Sequence, residues 1–187
     1  NSQTQQFISV DSLTVIYNQN YKLKKNISPN EFTITSHKFL KLLNSQRLIY
    51  KSLTKKNLLL NNKYDIDALD FFQAKTYMDL MVYGNIKNNI DSIQLYKTKV
   101  SNIISDSILI GQSYGKSAFT YLKNNMFSKA IIDYQIASTY FKNSKKPGSQ
   151  NSQITNFINL INTHLVIGTI EQASISHNQL EQVIINL

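Results

Sequence analysis

The stretch from Tyr114 to Phe141, YGKSAFTYLKNNMFSKAIIDYQIASTYF, constrains the fold more than any other part of the chain. Its apolar residues follow a helical period twice over. Tyr114, Ala118, Tyr121 and Leu122 share one face, and Ala130, Tyr134, Ala137 and Phe141 recur at i, i+4, i+7 and i+11. Asn124 and Asn125 stand between the two runs, and asparagine tolerates the left-handed conformation of a helix exit. Ser128 offers a side-chain oxygen that could cap the second run. The expectation is two amphipathic helices joined by a tight turn.

This order of residues resembles the tetratricopeptide repeat: an aromatic, a small residue four later, a tyrosine three after that, then Ala, aromatic and Ala in the next helix. Tyr114, Ala118, Tyr121, Ala130, Tyr134 and Ala137 carry the match over residues 111–144, and Pro147 falls about where the repeat places its proline. Ser117 departs from it, standing where the repeat usually has leucine. The resemblance implies an all-α fold of stacked antiparallel helical hairpins, and a binder rather than an enzyme. In that family the first helix of each hairpin lines a concave groove that receives a peptide or a partner's helix. Carried over position by position, Gln112, Phe119, Leu122 and Lys123 would face the groove, with Phe71, Lys75 and Met78 corresponding in the preceding unit. An exposed Phe or Leu there would anchor a partner, and Lys123 would favour acidic ones.

Helix breaks recur along the chain. Gly84-Asn85, Asn124-Asn125 and Gly168-Thr169 each separate two helical runs, with Gly84, Asn125 and Gly168 at intervals of 41 and 43 residues. Ala74 and Tyr77 stand 44 residues before Ala118 and Tyr121, whereas the third unit has Ile161 and His164 at the corresponding places. Hairpins of this kind cannot bury their apolar faces alone, so stacking would build a continuous core. An irregular helical bundle is the alternative.

A chain of 187 residues with 42% apolar and 11% aromatic residues can bury a sizeable core. Two prolines and five glycines favour long helices over a turn-rich β-sandwich. The absence of cysteine excludes a disulfide framework and a thiolate zinc site. No stretch reaches the apolar length of a membrane span. The polar start, Asn1-Ser2-Gln3-Thr4-Gln5-Gln6, without Met or leader, reads as a trimmed or mature chain. Residues 1–63 carry ten Lys/Arg against Asp11 and Glu31, whereas residues 147–187 carry only Glu171 and Glu181. Basic character therefore belongs to the N-terminal third, and the expected organisation is a basic helical segment over 1–63 packed on hairpins over 64–187, together one compact domain.

Taken in order, a helix is expected from Asp11 to about Lys25, and Ser28-Pro29 opens a long one with Phe39, Leu43, Tyr50 and Leu53 on a stripe. Asn61-Asn62 breaks it, Asp65 or Asp67 caps the next helix, and Gly84 ends that one as a C-terminal glycine would. A helix through Ile90, Ile93 and Val100 extends toward Ile110. Beyond the loop at Pro147-Gly148-Ser149, Ile154, Ile158, Ile161 and Leu165 form an apolar stripe closed by Gly168. The last helix turns Ala173, Leu180, Ile184 and Leu187 inward, with His177 on the same stripe.

Few residues suggest chemistry. Gly111-Gln-Ser-Tyr-Gly115-Lys116-Ser117 imitates a phosphate-binding loop, but three residues separate its glycines where that loop needs four, and Ile131-Ile132-Asp133 comes too soon to be a metal-binding strand. None of His37, His164 and His177 has at i+3 or i+4 the paired histidine that helical metal sites use, and Asp65, Asp67 and Asp70 are explained by a helix start. No nucleophile has a base in local context. Lys38, Lys41, Arg47, Lys51, Lys55 and Lys56 make a basic surface that suits an anionic membrane better than nucleic acid, because a lone Arg reads bases and phosphates poorly.

The expected function is a non-enzymatic protein-protein interaction or scaffold domain without cofactor or metal. An anionic-surface binder through the 38–56 helix, facing lipid or nucleic acid, is the alternative. Composition, absence of Cys and the polar start also resemble the helical part of a bacterial envelope protein, such as a spirochaetal lipoprotein without its anchor. That resemblance implies a partner held in the periplasm or at the outer membrane, in support of membrane integrity or cell division. Phe119→Ala is expected to weaken partner binding and leave the fold intact; a large drop in melting temperature would instead place Phe119 in the core.

Overall fold

The structure, a computed structural model, describes residues 7–55, 63–84 and 90–186. Among them are eight helices and no strand: α1 (Val10–Leu23), α2 (Pro29–Lys55), α3 (Lys63–Tyr83), α4 (Asp91–Ile103), α5 (Ser107–Lys123), α6 (Phe127–Lys142), α7 (Ser149–Val166) and α8 (Ile170–Ile185). The protein is all-α, with sequence neighbours packed on one another. The helices group into two compact units, residues 1–85 and 86–187. Helix α3, assigned by charge to the far side of a boundary at residue 63, packs against α1 and α2. Apolar contacts define the units and charge lies on their surfaces, so the two partitions differ. The α3–α4 pair expected as a first hairpin is thereby divided between units.

In the first unit Leu13, Phe39, Leu43, Leu69 and Phe72 form one buried cluster drawn from all three helices. The start of α2 is a capping box. The Ser28 amide and hydroxyl both donate to Glu31 Oε2 at 2.8 Å, and the Glu31 amide donates back to Ser28 Oγ at 3.3 Å. The Ser28 amide, then its hydroxyl, hold the Glu31 carboxyl below the usual carboxylate range. Across the unit Tyr17 donates to Asp79 at 2.7 Å, and burial together with that carboxylate pushes the phenol well up. Asp65 lies in the first turn of α3, which already begins at Lys63; the expected break at Asn61-Asn62 falls outside the described residues. Gly84 ends α3 without a left-handed backbone. A Cβ there would meet the Leu80 carbonyl oxygen at 2.5 Å, so crowding rather than φ favours glycine.

In the second unit α5 and α6 form the expected hairpin. Ala118, Ala130, Tyr134 and Ala137 are fully buried, and Tyr121 and Phe141 nearly so. Burial pushes the Tyr134 hydroxyl up to about 12. Asn125 adopts φ 58, and the turn closes with Met126 N donating to Tyr121 O at 2.9 Å and Asn125 N to Leu122 O at 3.0 Å. This is a Schellman exit. The α7–α8 turn repeats it: Gly168 has φ 79, Thr169 N donates to His164 O at 2.9 Å and Gly168 N to Leu165 O at 3.2 Å. The exit turns the chain by Met126, so α6 begins at Phe127 and Ser128 falls inside its first turn instead of capping it.

Three further expectations are corrected here. The helix through Val100 stops at Ile103. Asp106 restarts the chain as the cap of α5, accepting from the Ile108 and Leu109 amides at 2.8 and 3.2 Å. The stripe Ile154, Ile158, Ile161 and Leu165 is not the buried face: Ile158 is 46% and Leu165 50% exposed, and Ile154 and Ile161 are half-buried. The buried face of α7 is Gln153, Asn156, Phe157, Leu160, Thr163 and His164, seated by the Asn156 amide donating to Tyr134 O and Ser138 Oγ, both at 2.7 Å. In α8, Ala173 and Leu180 are buried but Ile184 is exposed, and His177 points outward 3.7 Å from Glu181; Leu187 lies outside the described residues.

The phosphate-loop lookalike lies wholly within α5. Gly111 there admits Phe141, whose ring would come within 2.6 Å of an added Cβ. Ser117, the departure from the repeat pattern, is fully buried and donates to Asp133 Oδ2. Lys97 Nζ donates to both oxygens of the same carboxylate at 2.8 Å. One buried carboxylate thus ties α4, α5 and α6 together. Breaking a buried ion pair leaves an uncompensated charge, so Asp133→Ala or Lys97→Met alone is expected to cost about 3–5 kcal/mol in urea denaturation. Lys97→Met with Asp133→Leu should cost much less than the two singles combined, and additive costs would contradict the coupling.

Candidate functional site

The second unit carries a groove of about 1090 Å³ between the C-terminal half of α6, the α6–α7 loop, α7 and α8. Its floor is apolar, formed by buried Phe141, Phe157 and Leu160, with Val183 and half-exposed Ile175 on the α8 side. Set into it are polar groups that the packing buries. The Ser149 hydroxyl donates to Ser144 O at 3.1 Å, and His164 Nδ1 lies 2.8 Å from Thr169 Oγ1, with burial lowering the imidazole's pKa. Gln153, 9% exposed, and Ser176, 4% exposed, also line the groove. Among the described residues neither side chain has a hydrogen-bond partner. The buried side-chain atoms left without a partner among the described residues are Ser113 Oγ, Tyr134 Oη and Asn156 Oδ1, whereas Gln153 and Ser176 keep their polar atoms open to solvent or to a ligand at the groove.

The walls are rich in carboxamides, with Gln135, Gln150, Gln172, Gln179 and Gln182 projecting from three helices. One end is positive: Lys142, Lys145 and Lys146 line it, and among the described residues no carboxylate lines the groove. Lys146 is engaged, donating to Asp106 Oδ2 at 2.5 Å and so tying the loop to the cap of α5. Burial pushes the Asp106 carboxyl up, but the Lys146 bond and the Leu109 and Ile108 amides outweigh it and hold the group below its usual range. Lys142 and Lys145 are exposed and have no protein partner among the described residues. Beside them α7 begins at Gly148, in the left-handed conformation and without a side-chain cap. Its first amides add a positive end to the same place.

The residues that the repeat resemblance singled out lie elsewhere. Phe119 is 37% exposed with Lys123 Nζ 4.4 Å above its ring, and Gln112 and Leu122 are half-buried. None of the four lines the groove. Phe71 is exposed and Lys75 half-buried, with Nζ 5.9 Å from the Phe71 ring, both in the first unit. Met78 is fully buried in that unit's core and presents no surface to a partner, because α3 packs on α1 and α2 through this face.

On α2, Lys38, Lys41, Lys51 and Lys55 are exposed, while Lys56 lies outside the described residues. Arg47 does not join them as a free cation, since its guanidinium donates to Asp70 and, at 3.1 Å, to Gln73. Asp70 is therefore committed to an ion pair between α2 and α3. Among the described residues no three or more His, Asp and Glu side chains gather where a metal could bind.

Sequence reading missed the groove because its walls are polar. Carboxamides carry no periodic apolar signal, and the outward isoleucines of α7 suggested the wrong face. Two signals were present: Gln172, Ile175, Ser176, Gln179, Gln182 and Val183 share one face of α8, and Lys142, Lys145 and Lys146 cluster before Pro147. No protein-family model matches this chain, and no curated protein matches it.

Proposed function

We propose that this chain is a non-enzymatic scaffold of tetratricopeptide-like hairpins that holds a partner protein, seated in the groove between α6, α7 and α8. The observation that carries the reading is the groove itself, with Phe141, Phe157 and Leu160 on its floor and, beside them, the polar groups of Gln153 and Ser176, which no described residue engages. Such groups supply orientation and specificity in a binding cleft. The Schellman exits at Asn125 and Gly168, 43 positions apart, support a repeat of hairpins. The absence of Cys and the resemblance in composition to helical envelope lipoproteins support a place in the bacterial cell envelope, with a role in membrane integrity or cell division.

A second reading, binding to an anionic surface, is favoured by one feature of α2. At 100° per residue Lys38, Lys41, Lys51 and Lys55 fall within an arc of about 140°. Exposed Ile34 and Leu48 share it. A basic face with apolar residues suits a lipid headgroup region.

The test is capture from an envelope fraction with the full chain as bait, washed at low and high salt. The wild type should retain a stoichiometric partner at high salt. Ser176→Trp, which fills the groove, should lose it, and the quadruple Lys→Ser variant of residues 38, 41, 51 and 55 should keep it. Recovery of lipid or nucleic acid only, released by salt and lost in the quadruple variant, would move the function to α2.

A further inference from the structure

We infer that the groove takes an acidic peptide segment in extended conformation, with its main chain read by the carboxamides and its carboxylates placed at Lys142 and Lys145. This rests on the protein-binding reading above and adds the chemistry and conformation of the occupant.

Charge selects the sign. Lysines line one end, no carboxylate among the described residues lines the groove, and the start of α7, without a side-chain cap, adds to the same potential. Lys146 is matched by Asp106, whereas Lys142 and Lys145 remain for an incoming group. Lys142 also stands in the last turn of α6, so the lysines bracket the mouth from two elements.

Spacing selects the conformation. Gln172, Gln179 and Asn186 lie on the groove side of α8, successive positions two helical turns apart. Two turns advance about 10.5 Å, close to the length of three extended residues. The run from Gln172 to Asn186 thus measures about 21 Å, or about six residues of extended chain. A carboxamide offers one acceptor and two donors, the complement of a peptide group; Gln172 and Gln179 can offer the full set, whereas Asn186 already spends one N–H on Gln182 O at 2.6 Å and keeps one donor and its acceptor. Gln153 supplies the same pairing from the floor, where it is 9% exposed and makes no side-chain hydrogen bond among the described residues. Leu160, Ile175 and Val183 leave an apolar surface for one side chain of the segment.

Fluorescence anisotropy on the full chain tests this with three labelled octapeptides: alternating Ser and Asp, its Ser and Asn counterpart, and its Ser and Lys counterpart. The Ser-Asp peptide should bind at least tenfold more tightly than the Ser-Asn peptide, and the Ser-Lys peptide should not bind. Lys142→Glu with Lys145→Glu should remove the difference between the first two. Gln179→Ala, at an exposed position that cannot unfold the unit, and Gln153→Leu, checked by its melting curve, should weaken both by a similar factor.

Equal affinity for the three peptides, or no binding of any, would overturn the inference. So would dextran sulfate binding as well as the Ser-Asp peptide and unaffected by Gln179→Ala, because the lysines would then act as charge alone. A partner captured in a groove-dependent way while the Ser-Asp peptide fails would sink this inference and leave the scaffold reading standing. Capture unaffected by Ser176→Trp would sink both.

Discussion

The second unit depends on one buried carboxylate. Asp133 of α6 accepts both oxygens' worth of hydrogen bonds from Lys97 of α4 and one from Ser117 of α5, with the ion pair almost wholly removed from solvent. Lys97 Nζ also lies 4.9 Å from the Tyr114 ring and 5.7 Å from the Tyr121 ring, so aromatic faces complete its surroundings. A buried pair of this kind contributes little net stability beside an apolar core of similar shape, but it penalises every arrangement that separates its members. It sets which faces of α4, α5 and α6 meet. The small residues Gly111, Ala118, Ala130 and Ala137 then bring α5 and α6 close enough to seat Phe141 and Tyr134. From that frame the Asn156 amide bonds to Tyr134 O and Ser138 Oγ lock α7, and α8 follows through the Gly168 turn. The groove is what remains between the end of α6 and the last hairpin.

The all-helical class and the α5–α6 hairpin were legible because they rest on apolar periodicity and on one asparagine at a left-handed position. The Ser28-Pro29 start was legible for a similarly local reason, a cap whose parts lie within four residues. Errors arose where polar groups decided the packing. Helix α7 turns Asn156, Thr163 and His164 inward and leaves Ile158 and Leu165 outside, against the rule that apolar stripes face cores. Ser117 broke the repeat pattern for a reason visible only in three dimensions, namely a carboxylate sixteen positions away in the chain. Arg47 counted as surface charge until Asp70 was found beside it.

The proposed site follows from the same physics as the errors. Of the polar side chains directed inward on α7, Asn156 donates through its amide while its Oδ1 is buried without a partner, and Gln153 on the preceding turn makes no side-chain hydrogen bond among the described residues and lines the groove. The Lys146 bond to Asp106 keeps the α6–α7 loop against the start of α5 and holds the neighbouring lysines at the mouth. Residues assigned to a groove by the repeat pattern, Phe119 and Lys123, are instead paired with each other at the surface of α5. Three surfaces are thus distinguishable by position: the α6–α8 groove, the α5 face, and the basic face of α2.

Photo-crosslinking in the native organism separates them most directly, with the crosslinker placed in turn at Gln179, Phe119 and Lys51 of the full chain. The account predicts a discrete protein adduct from position 179 and none from 119 or 51. A protein adduct from position 119 alone, or lipid or nucleic-acid adducts from position 51 alone, would contradict it.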